Sequence, residues 1–236
     1  MKVIIIPDIH LKPWIFDRAA ELLKNGSAER AVCLMDIPDD WNKEFYIELY
    51  EQTYNAAIDF AKVFPDTLWC YGNHDLCYLL DERESGYSRF ASNTVVRKLG
   101  QLKNVLEDEM HLQVIHRIDR ILFCHGGLSE AFAKYAVGEE NLDSVDAVID
   151  NVNQLPLNTM WNEASPIWCR PQYGKVKMFG EKDFLQVVGH TPVTKVFQQK
   201  NVLSCDTFST YRDGRFIGNC EYAVVDTETM EWTTVK

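Results

Sequence analysis

The sequence predicts a mixed α/β fold, and three observations lead to that class. Short apolar runs rich in β-branched residues recur from residue 3 to residue 188, as buried strands do. Amphipathic stretches of helical length separate the first three runs. No linker rich in proline, glycine or serine divides the 236 residues, so we expect a single domain over residues 1–236.

The elements can be assigned in order along the chain. The first five predicted strands are residues 3–6, 31–34, 67–71, 121–124 and 185–188. Two helices are expected between the first three strands: residues 13–24 begin with a proline, which suits a first helical turn, and residues 43–63 keep apolar residues at helical spacing. Shorter strands are predicted at residues 193–197, 202–204, 215–217, 222–225 and 231–235, with a turn at Asp213-Gly214. We expect substrate recognition in the longest connections, residues 76–110 and 129–183.

Composition excludes several classes of protein. With 24 Lys and Arg against 35 Asp and Glu, the net charge of −11 would repel a phosphate backbone, so general nucleic-acid binding is not expected. The apolar residues 3–6 are followed at once by Pro7 and Asp8, too early for a signal peptide or a membrane span, so we expect a cytoplasmic protein. Seven cysteines without a CxxC pair indicate buried reduced thiols, as at Cys33, Cys70 and Cys124.

Residues that typically bind metal ions follow the first two predicted strands. Asp8-Ile9-His10 aims a carboxylate and an imidazole toward the same side of an extended chain. Residues 36–40 contain three carboxylates, Asp36, Asp39 and Asp40, which attract a cation. Aspartate is also favoured at a helix N-cap, so both interpretations remain open for these aspartates.

The next three strands also end in histidine-containing motifs. Gly72-Asn73-His74-Asp75 combines a glycine turn with an amide ligand and an imidazole, and His125-Gly126-Gly127 and Gly189-His190-Thr191-Pro192 each place an imidazole beside glycine. A lone histidine after a strand is more often hydrogen-bonded than a ligand, but four at strand ends favour a metal site. His111 and His116 fall in a predicted hairpin as ordinary polar residues without a function.

This ordered set of motifs resembles that of the calcineurin-like metallophosphoesterases, from residue 8 to residue 190. It is most similar to the phosphoprotein phosphatase branch and to its bacterial relatives, the symmetrical dinucleoside tetraphosphatases. Residues 204–207 also resemble the strand that follows the last motif in those enzymes. The resemblance implies two mixed β-sheets packed as a sandwich and flanked by helices, with the active site along one edge of the sandwich.

The resemblance also implies a role for each motif residue. One metal ion would be held by Asp8, His10 and Asp36, and a second by Asp36, Asn73, His125 and His190. The nitrogen and oxygen donors, without thiolate, suit two divalent or mixed-valence ions of Mn, Fe or Zn. A hydroxide that bridges the two ions would attack phosphorus in line, and His74, oriented by Asp39, would protonate the departing alkoxide. For Asp39 an N-cap role is the alternative.

The chain departs from the family pattern at several positions. Pro7, Leu11 and Met35 stand where relatives usually carry glycine, which alters backbone freedom but removes no ligand. Asp40 occupies the position of the arginine that grips the substrate phosphate, and a carboxylate there would repel it. Arg170 is our candidate for the replacing cation, because a guanidinium suits a bidentate phosphate contact.

Three functions follow from this sequence. The first is a phosphatase that acts on phosphomonoesters of a protein or a small metabolite. The second is a dinucleoside polyphosphate or nucleotide pyrophosphohydrolase, for which Trp161 and Trp168 could stack a nucleobase, although tryptophan in a mixed sheet is more often core. The third is a binding or scaffold protein that kept the fold and lost turnover. The sequence does not determine the oligomeric state.

Overall fold

The computed structural model describes residues 1–236, which form eleven strands and six α-helices. The strands are β1 Lys2–Ile6, β2 Arg30–Cys33, β3 Leu68–Cys70, β4 Leu112–Gln113, β5 Ile115–Ile118, β6 Ile121–Cys124, β7 Leu185–Val188, β8 Phe197–Gln199, β9 Val202–Ser204, β10 Tyr222–Asp226 and β11 Trp232–Val235. The helices are α1 Trp14–Lys24, α2 Ile47–Val63, α3 Asn73–Leu80, α4 Ser92–Val105, α5 Glu130–Val137 and α6 Val145–Gln154. None of the helices combines the length and the apolar character needed to span a bilayer.

The strands form two mixed sheets. The first has the order β11-β10-β1-β2-β3-β4, in which β1 to β4 run parallel and β10 is antiparallel to both of its neighbours, β1 and β11. The second has the order β5-β6-β7-β9-β8, in which β6, β7 and β9 run parallel. The α/β fold with two mixed sheets is therefore the one that the resemblance implied.

The alternation of side chains along the strands produces four layers. Val3 and Ile5 of β1 join a buried cluster that also contains Phe123 and Val187 of the second sheet, so this cluster fills the space between the sheets. The intervening residues of β1 point to the other face, where α1, α2 and α4 cover the first sheet. Helices α5 and α6 cover the outer face of the second sheet. Each sheet is thus buried on both faces.

Most predicted elements have counterparts in the structure, and four expectations were wrong. Residues 193–197 contain no strand before Phe197, and residues 215–217 form only an isolated bridge. Helix α2 begins at Ile47 instead of residue 43, because residues 41–46 form turns at the edge of the site. His116 is not an ordinary polar residue: it is buried in β5, and its Nε2 donates to the Trp69 carbonyl at 2.9 Å. All seven cysteines are free, and Cys33, Cys70 and Cys124 are buried as expected.

Candidate active site

The five motifs converge at the carboxyl ends of the central strands of both sheets. The loop after β1 is bound to the loop after β2, since the backbone N–H groups of His10 and Leu11 donate to the carbonyls of Asp36 and Ile37 at 2.8 and 3.0 Å. Across the two sheets, the backbone N–H of His190 donates to Oδ1 of Asp8 at 2.8 Å. The fold therefore gathers residues that are up to 182 positions apart in the chain.

Asp36 lies at the centre of this group. Its Oδ2 lies 3.2 Å from His125 Nε2 and 3.9 Å from His10 Nε2, while its Oδ1 accepts the backbone N–H of His74 at 2.9 Å. Two sets of donor atoms each lie within 4.8 Å of one another, and Asp36 belongs to both: His10, Asp36 and His74, and Asp36, His125 and His190. Asp36 is therefore the residue that the two groups of potential metal ligands share.

The remaining nitrogens of these histidines indicate which atoms are free to bind a metal ion. His10 Nδ1 donates to the Asp39 carbonyl at 3.0 Å, and His125 Nδ1 donates to the Leu34 carbonyl at 2.8 Å. A carbonyl only accepts hydrogen bonds, so each ring carries a proton on Nδ1, and Nε2 is the nitrogen that remains for a metal ion. His125 Nε2 also lies 3.1 Å from Asn73 Oδ1, a further neutral oxygen donor.

Two buried polar atoms in the cluster have no protein partner: His190 Nε2 and Asp8 Oδ2. Unsatisfied polar atoms of this kind are costly unless a ligand engages them. Because the orphaned atoms are a nitrogen and a carboxylate oxygen beside other imidazoles and carboxylates, the residues present fit divalent cations.

Two glycines are required by the close packing of this cluster. A Cβ added at Gly72 would overlap the Asp36 carboxylate, and one added at Gly189 would overlap the Asp8 carboxylate. The glycines of the Gly-Asn-His-Asp and Gly-His-Thr-Pro motifs therefore make room for the ligand side chains of other motifs.

The electrostatics of the cluster also favour a bound cation. Burial, together with the Asp206 carboxylate, raises the pKa of Asp8 well above its usual range. Burial likewise opposes ionisation of Asp36, but the surrounding imidazoles, His125 first, hold its pKa below its usual value. Burial favours the neutral form of His125, yet the Asp36 carboxylate raises the pKa of that imidazole to about 9. Divalent cations would compensate carboxylates that the protein groups only partly balance.

Asp75 braces the backbone of the site, a role that sequence reasoning missed. Its carboxylate accepts the backbone N–H groups of Asp36 at 2.8 Å, Ile37 at 3.3 Å and Gly72 at 3.3 Å, and Tyr54 Oη donates to it at 3.2 Å. Asp75 is fully buried and belongs to neither group of donor atoms around Asp36. The only signal in the sequence was its place as the last residue of the Gly-Asn-His-Asp motif.

His74 and Asp39 form a buried pair beside the cluster. His74 Nδ1 lies 3.0 Å from Asp39 Oδ2, and its ring lines a cleft of about 210 Å³ that also exposes His10, Asp36 and His190. Burial opposes protonation of His74, but the Asp36 and Asp39 carboxylates raise its pKa to about 9. The geometry suits an imidazolium that Asp39 holds through Nδ1 and that presents Nε2 to the cleft.

The carboxylate at Asp40 is balanced by a cation that sequence reasoning missed. Lys12 Nζ donates to Asp40 Oδ2 at 3.2 Å and to the His10 carbonyl at 2.9 Å, and Thr210 Oγ1 donates to Asp40 Oδ1 at 2.9 Å. Both Lys12 and Asp40 are largely buried, so the pair presents little net charge to the cleft. The only trace in the sequence was a lysine two positions after the Asp-x-His motif.

Arg170 reaches the same cleft from the long connection between β6 and β7. Its Nη1 donates to the His190 carbonyl at 3.0 Å and to Thr191 Oγ1 at 3.3 Å, which fixes the guanidinium at the rim. The structure therefore places Arg170 together with the other predicted site residues.

The two tryptophans considered for base stacking do not line the cleft. Trp161 and Trp168 meet edge to face with ring centroids 5.0 Å apart, and each packs against a buried cluster. Trp168 also lies edge-on to His190 at 5.5 Å, so it supports that ring. Trp41, Glu84 and Ser85 line the cleft instead, and sequence reasoning did not single them out.

Comparison with known proteins agrees with this arrangement. The model of the calcineurin-like phosphoesterase family matches residues 1–216. No protein among the curated sequences matches the chain. The chain shares 18% identity and a TM-score of 0.53 with the cold-active protein-tyrosine phosphatase of a psychrophilic Shewanella species, over 100% of this chain and 80% of that one. It shares 16% identity and a TM-score of 0.53 with a serine/threonine phosphatase of Saccharomyces cerevisiae, over 95% of this chain and 72% of that one. At such identities these structures establish the fold alone, whereas the family model covers most of the sequence. The chain belongs to the calcineurin-like phosphoesterase family.

Proposed function

We propose that this phosphoesterase is a dimetal-dependent phosphomonoesterase. The observation that carries the proposal is the His74–Asp39 pair, with Nδ1 and Oδ2 3.0 Å apart, in one cleft with the ligand set around Asp36. The volume of about 210 Å³ is below the roughly 300–1,000 Å³ of sites that enclose a whole drug-sized ligand. It suits a phosphate group with a small part of the leaving group better than a dinucleotide.

The ligand assignment is part of the proposal. Asp8, His10 and Asp36 would hold one ion, and Asp36, Asn73, His125 and His190 would hold the other. Bound ions would supply Lewis acidity and an activated water, and the nitrogen and oxygen donors support Mn, Fe or Zn. We also propose that residues 1–236 form one domain. A cytoplasmic location is supported by the seven unpaired cysteines, which suit a reducing compartment.

The remaining residues divide the reaction between binding and proton transfer. Arg170 would contact the substrate phosphate, because it is the only arginine or lysine that lines the cleft. His74 would donate its proton to the leaving oxygen as the phosphorus–oxygen bond breaks, and Asp39 would orient the ring. The overall change is R–O–PO₃²⁻ plus water to R–OH plus HPO₄²⁻, and His74 regains its proton from the water consumed.

The test compares kcat/KM for p-nitrophenyl phosphate, a phosphopeptide and diadenosine tetraphosphate in the presence of Mn²⁺. We expect the monoesters to be preferred and Asp36→Asn to lower kcat on each of them by roughly 100-fold or more. His74→Asn should cause a loss of that size on a phosphoserine peptide, whose leaving group is an alkoxide, and a much smaller one on p-nitrophenyl phosphate. A strong preference for the dinucleotide would replace the proposal with a pyrophosphohydrolase. Wild-type activity no higher than that of the two variants would instead favour a scaffold.

A further inference from the structure

Two buried tyrosines hold the carboxylate that orients His74. Tyr50 Oη donates to Asp39 Oδ1 at 3.0 Å, and Tyr78 Oη donates to the same oxygen at 2.5 Å. Tyr50 comes from α2 and Tyr78 from α3, and both side chains are almost entirely shielded from solvent. The other oxygen, Oδ2, is left for His74.

The direction of these hydrogen bonds follows from their neighbours. The backbone N–H of Ser88 donates to Tyr78 Oη at 2.8 Å, so the phenol proton of Tyr78 is free to go to Asp39. Burial raises the pKa of Tyr50 and of Tyr78 well above the usual range, and the nearby Asp39 adds to that effect, so both phenols stay protonated. Asp39 Oδ1 therefore accepts two O–H groups.

The two hydrogen bonds to Oδ1 restrain the orientation of the Asp39 carboxylate. Without them Asp39 could rotate about its last side-chain torsion, which is broad for aspartate. Its Oδ2 would then lose its alignment with His74 Nδ1. Oxygen–hydrogen donors to a charged acceptor are among the stronger hydrogen bonds in proteins, so the restraint is substantial.

We propose that Tyr50 and Tyr78 are positioning residues for proton transfer: by fixing Asp39 they hold the His74 ring where it can protonate the leaving oxygen. The inference rests on the proposed function, in which His74 is the proton donor. Neither phenol lines the cleft, so neither touches the substrate. In the step concerned, the phosphorus–oxygen bond breaks with its electron pair on the leaving oxygen, which takes the proton from His74.

Dependence on the leaving group separates this role from a purely structural one. An alkoxide must be protonated as it departs, whereas nitrophenolate is a stable anion near neutral pH and needs little help. We expect Tyr78→Phe to lower kcat on β-glycerophosphate by roughly ten-fold and kcat on p-nitrophenyl phosphate by less than two-fold. Tyr50→Phe should give the same pattern, and the double variant should approach His74→Asn, whose loss on the alkyl ester lies in the roughly 100- to 10,000-fold range of general acid catalysis.

Tyr54 supplies the matched control. It lies on α2 like Tyr50, it is fully buried, and its phenol donates to a carboxylate, but that carboxylate belongs to Asp75. Tyr54→Phe should change kcat on the two esters by the same factor. Circular dichroism and metal content establish that each variant folds and binds its ions.

The possible outcomes separate the positioning role of the two tyrosines from proton donation by His74. If His74→Asn discriminates between the esters but Tyr50→Phe and Tyr78→Phe reduce both equally, or reduce neither, the positioning role is overturned. If His74→Asn itself affects both esters equally, proton donation by His74 is wrong and the inference fails with it. A selective loss in the two tyrosine variants, absent in Tyr54→Phe, supports the proposal.

Discussion

Asp39 shows how much chemistry one residue organises in this site. Its backbone carbonyl accepts His10 Nδ1, and its carboxylate accepts His74 Nδ1, each at 3.0 Å. This double use depends on a left-handed backbone, since Asp39 has φ of +65°. Aspartate tolerates that conformation better than most residues do. The N-cap alternative does not apply, because no helix begins within six residues of Asp39.

Backbone strain at single residues is concentrated around the ligands. His10 and Asp36 have φ of +43° and +45°, and Leu11 and Met35, where the family resemblance implies glycine, have φ of +57°. Such conformations cost on the order of 1–3 kcal/mol each and persist only where the surroundings impose them. Leu11 and Met35 are both buried, so packing compensates for the glycines that the chain lacks.

Replacement of Arg170 should weaken substrate binding more than turnover. Arg170→Met removes the only arginine or lysine that lines the cleft, so we expect KM for p-nitrophenyl phosphate to rise roughly ten-fold, in line with the loss of a hydrogen bond to a charged group. Arg170→Lys keeps the positive charge but lacks the planar guanidinium, so its KM should lie between those of the wild type and Arg170→Met. Steady-state kinetics measure the effect, and an unchanged KM in Arg170→Met would contradict it. Because Arg170 also donates to the His190 carbonyl, the metal content of each variant should be measured to show that the ligand His190 is still in place.

The helices between the strands support the site, and the first turn of α3 also contributes Asn73 and His74 to it. The connection of residues 76–110 contains the end of α3 and the whole of α4, and α4 packs on α2 over the first sheet. Through Tyr50 and Tyr78, α2 and α3 reach Asp39 from two sides. Helices α2 and α3 therefore do more than cover the sheet, because they also hold the carboxylate that contacts His74.

Gly100 weakens α4 without an evident compensating role. It lies in the middle of the helix, is exposed, and has open space where a Cβ would be. Gly100→Ala should raise the free energy of unfolding by about 0.5–1 kcal/mol, because alanine loses less conformational entropy on folding. Gly72→Ala is the contrasting variant and should be destabilised, since its Cβ would overlap Asp36. Urea denaturation measures both, and a less stable Gly100→Ala would refute the prediction.

His116 in β5 should make the protein sensitive to acid. Burial lowers its pKa from 6.5 to about 4, although its hydrogen bond to the Trp69 carbonyl opposes the shift. The unfolded chain therefore binds a proton below pH 6.5 while the folded one does not until about pH 4. The free energy of unfolding should therefore decrease as the pH falls from 6.5 toward 4, by up to about 3 kcal/mol.

The test uses His116→Gln, which keeps a donor for the Trp69 carbonyl but does not titrate. Its free energy of unfolding should fall less than that of the wild type between pH 7 and pH 5, as measured by urea denaturation at each pH. Equal falls in the two proteins would show that His116 is not the cause. His111, which is more exposed, supplies the control substitution.

Part of the acidic excess of the whole molecule is concentrated at the candidate site. The net charge of −11 remains unfavourable for nucleic acid, but Asp8, Asp36, Asp75 and Asp206 are buried together at one edge of the two sheets. Carboxylates packed in this way repel one another and resist desolvation. Divalent cations at the cluster would therefore stabilise the fold and make the cleft attractive to phosphate.

Removal of divalent ions should lower both stability and activity. A ligand present at about 100 times its Kd stabilises the folded state by about 2.7 kcal/mol, which for a chain of this size corresponds to a fall in Tm of roughly 5–10 °C on chelation. Differential scanning calorimetry before and after chelation tests this, with re-addition of Mn²⁺ expected to restore Tm and hydrolysis together. An unchanged Tm would contradict the prediction. Chelation should lower the Tm of Asp36→Asn by less than it lowers that of the wild type.

The sequence by itself determined the strands that are apolar and central, the α/β class, and the set of residues that the structure brings together at the site. These depend on local patterns, because a buried strand needs an apolar run and a metal ligand needs a particular side chain. The strand predicted at residues 193–197 was wrong because Val193 and Val196 are buried in a loop, where β-branched residues also pack well against a core. The one predicted at residues 215–217 was wrong because these residues lie outside both sheets, with Phe216 exposed. The predicted start of α2 was wrong because turns at the site compete with helical spacing.

Only the tertiary structure decided how those residues act together. The pairing of Lys12 with Asp40, the bracing of three backbone N–H groups by Asp75, and the two phenols on Asp39 join positions that lie from 3 to 39 residues apart. Apart from the bond between Gly72 and Asp75, which lies within one motif, these contacts have no local pattern, since they depend on which loop ends and helices meet when parallel strands align. The residue types could thus be read from the chain, but their orientation and charge balance arise from the packing of the two sheets and the helices around them.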